Sequence, residues 1–142
     1  MPYGKLLLDE IESSTANTPP VFKDGNGTQV GTLCRAWVNF NGTGTVAIRA
    51  SFNVSSITDN GTGDYTINFT NAMPDANYAP VFGPSPAVGV SASAGAWYLG
   101  VKTDGSGNPT TKTSSAVRII NGFLSGPATA GDAPEIYVAI FR

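Results

Sequence analysis

The sequence predicts an all-β fold: an antiparallel β-sandwich with an extended N-terminal arm. Three observations carry that prediction. From Arg35 onward, apolar and polar residues alternate with a period of two over several short runs. Turn dipeptides such as Asn41-Gly42 and Asn60-Gly61 separate those runs. Charged residues make up only 13% of the chain, about half the usual share, and Gly, Pro, Ser, Thr and Asn take their place. About seven or eight short strands without a convincing helix read as a sandwich, with a jelly-roll topology as one option.

The arm and linker span residues 1–32, and the sandwich spans 33–142. Within residues 1–12, Leu6, Leu7, Leu8 and Ile11 stand between charges, in a run too short for a stable helix. Pro19 and Pro20 favour extended backbone. Asp24-Gly25 and Asn26-Gly27 are turn signals inside a stretch read as linker. An apolar tag on a linker is either a first strand that joins the sheet or an arm that docks onto another subunit.

Next, Ala36, Val38 and Phe40 alternate with Trp37 and Asn39, and Asn41-Gly42 supplies the positive φ angles of a tight hairpin. A second strand places Val46, Ile48, Ala50, Phe52 and Val54 inward as one continuous face. Asp59-Asn60-Gly61 turns the chain into a third strand, in which Tyr65, Ile67 and Phe69 alternate with polar residues. After a loop at 71–80, Val81-Phe82 is a short strand stopped by Pro84 and Pro86. Val88 and Val90 lie in a small-residue run. Trp97, Leu99 and Val101 then alternate with Tyr98 and Lys102. Residues 103–115 read as a polar loop, 116–124 as a strand and 125–134 as a further loop. The final strand is apolar on both sides: Ile136, Val138 and Ile140 on one, Tyr137, Ala139 and Phe141 on the other. Such a strand is either central in a sandwich or faces another subunit, which makes Tyr137, Ala139 and Phe141 candidate interface residues.

Composition bounds the function. With 142 residues the domain can bury about two-thirds of its unfolded surface without disulfides. The hydrophobic share of 41% and the net charge of −2 argue against disorder. No basic stripe invites nucleic acid, and no apolar run is long enough to insert into a membrane. The start lacks the long apolar region of a signal peptide, so synthesis in a cytosol is expected. The chain has no His, which removes the commonest general base and metal ligand. Cys34, the one cysteine, reads as a small buried hydrophobe. Asp59, Asp64 and Asp104 lie beside Gly-rich turns but lack a calcium-loop pattern, so they read as turn residues. No cofactor, metal or catalytic residue is expected. The glycosylation-like triplets at Asn26, Asn41, Asn53, Asn60 and Asn68 read as turn and strand residues. Among Trp37, Trp97, Tyr78 and Tyr98, core packing is the default. Tyr98, opposite the Trp97 face, is the candidate for stacking on a glycan.

Several pieces of this sequence resemble segments of bacteriophage tail-fibre and other virion appendage proteins, especially in phages of aquatic bacteria such as cyanobacteria. They are Ala36-Trp37-Val38-Asn39-Phe40-Asn41-Gly42, the strand from Ile48 to Ser56, Asp59 to Tyr65, and Met73 to Tyr78. The start, from Pro2 to Ser14, is similar to the opening of small phage structural proteins attached through the N-terminus. The resemblance implies a homotrimer on a phage particle, synthesised in the bacterial host cytoplasm. Tyr3, Leu6, Leu7, Leu8 and Ile11 would dock it to other virion proteins, and outward loops would meet a host surface glycan or protein. The expected role is a tail fibre or receptor-binding appendage that is not an enzyme. A capsid decoration protein is the alternative. A carbohydrate-binding module or a polysaccharide depolymerase is a remoter one.

Overall fold

The computed structural model describes residues 8–15, 19–85, 96–109, 111–124 and 128–142. Tyr3, Leu6 and Leu7, like Val88 and Val90, lie outside them. The chain divides into two compact units, Met1–Leu33 and Cys34–Arg142.

In the first unit, β1 (Phe22–Lys23) and β2 (Gln29–Gly31) pair antiparallel as a two-stranded sheet of their own. The stretch read as linker therefore holds a hairpin. Its turn is closed by Asp24, whose Oδ1 accepts from the Asn26 and Thr28 amides, both at 2.9 Å.

In the second unit the strands are β3 (Cys34–Asn41), β4 (Ala47–Phe52), β5 (Val54–Asp59), β6 (Asp64–Phe69), β7 (Ala79–Ser85), β8 (Ala96–Val101), β9 (Ala116–Leu124), β10 (Ala128–Ala130) and β11 (Glu135–Phe141). They form an antiparallel β-sandwich. One sheet runs β4-β3-β11-β7. In the other, β9 pairs β8 along one edge and β6 then β10 along the other, with β5 beyond β6. The hairpins β3–β4, β5–β6 and β8–β9 each stay within one sheet. Val38, Phe40, Ile136, Val138 and Ile140 from the first sheet meet Tyr65, Ile67, Val117 and Ile119 from the second in one buried core. Phe40 and Tyr65 cross it edge to face, 5.3 Å apart.

Four expectations change. The inward face expected from Val46 to Val54 is broken twice. Arg49 is an extra residue against β3, because Asn39 pairs Ala50 while Phe40 pairs Ile48. This bulge reverses the alternation, so Phe52 shares the outer side with Trp37. Asn53, at φ 56, then turns the chain out of one sheet and into the other. Its side-chain amide donates to the carbonyls of Arg35 (3.0 Å) and Asn71 (3.1 Å), and its Oδ1 accepts from the Asn71 amide (2.7 Å).

The β3–β4 turn takes its positive φ at Gly44 rather than at Asn41-Gly42. Asn41 instead folds over the loop, with its Nδ2 donating to the Thr43 carbonyl at 2.6 Å. β7 runs through Pro80 and Pro84 rather than stopping there. Among the described residues it is an edge strand paired only to β11, so a missing amide costs it no ladder bond. The stretch 125–134, read as a loop, contains β10. β11 is central, between β3 and β7.

Candidate functional site

The two outer faces of the sandwich differ in chemistry. On the five-stranded sheet the face is polar. Asn68 donates to the Ser56 and Thr58 hydroxyls, both at 3.0 Å, and Asn60 donates to the Thr66 hydroxyl at 2.9 Å. At one end lies Asp64, expected to be a turn residue. Its carboxylate is in fact largely buried and held bidentately by Arg118, Nε at 2.7 Å and Nη2 at 2.9 Å, and also by the Lys102 ammonium. Arg118 above all holds the Asp64 carboxyl below its ordinary range. Asp59 and Asp104 are turn residues as expected, accepting from the Gly61 and Ser106 amides at 2.9 Å.

On the four-stranded sheet the outer face is apolar. The registers align Phe52, Trp37, Ala139 and Val81 in one row across β4, β3, β11 and β7. Phe52 is 55% exposed, Val81 56%, and Trp37 40%. The next row holds Ala50, Asn39, Tyr137 and Gly83. Between Trp37, Val81 and Tyr137 lies a depression of about 450 Å³, with the small residues Ala139 and Gly83 among its lining. Its polar end is already ordered. Asn39 Nδ2 donates to Glu135 Oε1 at 2.9 Å, and Arg49 Nη2 donates to the Pro134 carbonyl at 2.6 Å. The Tyr137 hydroxyl bonds the Glu135 carboxylate, which holds Glu135 below its ordinary range and raises Tyr137 above its own.

The structure thus brings Tyr137 and Ala139 into one site, with Phe141 half-buried at the end of the same strand. Leu8 and Ile11 are exposed in the N-terminal unit. Tyr98 is half-buried on β8, opposite Gly122, so it is less open than Trp37. Tyr78 is buried, and Trp97 packs against the core and Phe123. Cys34 is half-buried, its thiol donating to the Ala36 carbonyl. Trp37, Phe52 and Val81 are the members of the site that sequence reasoning missed. The strict alternation of β3 could have placed Trp37 outside, since Ala36, Val38 and Phe40 take the inner side. Among the described residues, no group of three His, Cys, Asp or Glu could hold a metal ion.

No family model matches the chain, and no curated protein matches it. In fold it is similar to the phiAB6 tailspike, solved in complex with three-repeated oligosaccharides of Acinetobacter baumannii surface polysaccharide. The TM-score is 0.50 at 14% identity, over 95% of this chain and 30% of that one. The likeness is one of fold, over part of the tailspike's length.

Proposed function

We propose that the chain is a non-enzymatic structural protein of a phage virion, a homotrimeric tail-fibre or receptor-binding appendage attached through its N-terminal unit. One observation carries this reading. In that unit Leu8, Ile11, Val21, Phe22, Val30 and Leu33 are each at least 41% exposed. Its described residues contain no buried side chain. A segment with this many open apolar side chains gains most by burying them against a partner. The tailspike-like fold and a surface with few charges support a virion as the setting.

The test is reconstitution onto phage particles that lack the chain. Native protein should attach to the tail, as seen by immunogold labelling. A variant carrying Phe22→Asp and Val30→Asp should fold normally and fail to attach. Attachment undiminished in the variant would remove the docking role. Gold on the head would replace the tail reading with capsid decoration.

A further inference from the structure

The apolar face of the four-stranded sheet carries a projection and a depression side by side. The projection is Phe52, on edge strand β4. The depression, centred on Ala139 between Trp37 and Tyr137, lies two strands away, roughly 10 Å. We propose that copies of this chain meet on this face, with Phe52 of one copy seated in the depression of the next. This names the interface of the homotrimer proposed above, and for the number of copies it rests on that reading.

Three features favour a second copy as the occupant. The first is self-complementarity: one surface offers both an aromatic knob and a hole lined by aromatic and small residues. Knob-into-hole contacts of this head-to-tail kind close into a ring when the rotation permits. The second is charge. The ionised groups at the polar end, Arg49 and Glu135, are opposite in sign and lie on either side of Asn39, so like faces meet without repulsion. The third is area. Four strands about 4.8 Å apart, each about seven residues long, make a face of roughly 450 Å². In a ring of three each face is shared between two neighbours, and the assembly together would cover about 1,350 Å² in projection. Among the described residues, the opposite face of the sandwich carries a hydrogen-bonded Ser, Thr and Asn ladder in place of such an apolar row.

The test uses the full chain at micromolar concentration, with mass read by native mass spectrometry and light scattering. Phe52→Asp removes the knob, and Ala139→Trp fills the hole. Both side chains point away from the core, and circular dichroism checks that each variant folds. The native chain should run at three times its 14.6 kDa mass. Each variant alone should run as a monomer. An equimolar mixture should give pairs and no trimer, because one variant keeps the hole and the other keeps the knob. A monomeric or dimeric native chain overturns the proposal, as does a trimer unchanged in both variants. A native monomer whose tryptophan fluorescence responds to added oligosaccharide also overturns it, by assigning the face to a glycan. A trimer unchanged in both variants refutes this interface and leaves the homotrimer standing, whereas a native monomer or dimer refutes both, and particle attachment is read separately.

Discussion

Replacing Asp64 by Asn removes one charge and almost no volume from a largely buried site. The Asp64 side chain is 10% exposed, while those of Lys102 and Arg118 are 34% and 35% exposed. Folding holds the Asp64 carboxyl below its ordinary value of 3.8, through Arg118 first and Lys102 second, against the opposing effect of burial. The folded state therefore favours the ionised form. Its contribution is complete above the unfolded-state value and disappears as pH falls through the folded-state value. Removing one partner of a fully buried pair costs about 3–5 kcal/mol. Here water reaches a third of each cation and screens the interaction, so we expect a loss of about 1–2 kcal/mol at neutral pH. With a urea slope of about 1–1.5 kcal/mol per molar, the midpoint should fall by about 1 M. The assay is urea unfolding of the native chain and Asp64→Asn across a pH series. The gap should be widest at neutral pH and narrow as pH falls below 3.8. A gap that stays constant into strong acid, or is absent at neutral pH, would refute the assignment of this stability to the carboxylate charge.

Two further predictions concern backbone corners. Gly63 and Gly44 have nearly the same φ, 66° and 63°, but a Cβ at Gly63 would sit 2.2 Å from the Asn121 carbonyl oxygen, while one at Gly44 meets nothing within 4 Å. Gly44→Ala should therefore cost only about 1–2 kcal/mol of backbone strain, whereas Gly63→Ala should leave little folded protein. Equal thermal unfolding midpoints for the two would contradict the clash. Asn53→Gly keeps the φ of 56° but loses the bonds to Arg35 and Asn71, costing about 1–3 kcal/mol. Hydrogen exchange at the Asn71 amide should quicken, and Asn53→Ala should cost about 1 kcal/mol more. An Asn53→Gly protein as stable as the native one would mean that the amide does not hold the corner.

Much of the fold was legible because its signals are local. The inward set Tyr65, Ile67 and Phe69, the strand from Ala116 to Leu124 and the two-sided final strand all follow from period-two patterning. What the sequence hid depends on partners distant along the chain. Nothing at Arg49 announces an extra residue, yet that bulge decides which way Phe52 points. Asp64 sits beside a Gly-rich turn and reads as part of it. Its real partner Arg118 is 54 residues away and faces it only after β6 and β9 pair. Trp37 was given core packing by default, although its neighbours already fill the inner side. Pro84 looked like a stop, because only the assembled sheet shows that no described residue pairs on the far side of β7.

The prolines of β7 have a consequence for how the molecule tolerates crowding. Pro80 and Pro84 stand opposite Ile140 and Ile136 without donating to β11, so their ring nitrogens occupy places where amides would otherwise project from the rim of the sheet. Two of the places along that rim where amides would project therefore carry no donor, which leaves a passing extended chain fewer bonds with which to attach as another strand. At the opposite rim, the extra residue in β4 interrupts the regular spacing. Both edges of this sheet thus carry a feature that disfavours pairing with a further strand: prolines on β7 and an irregular spacing on β4.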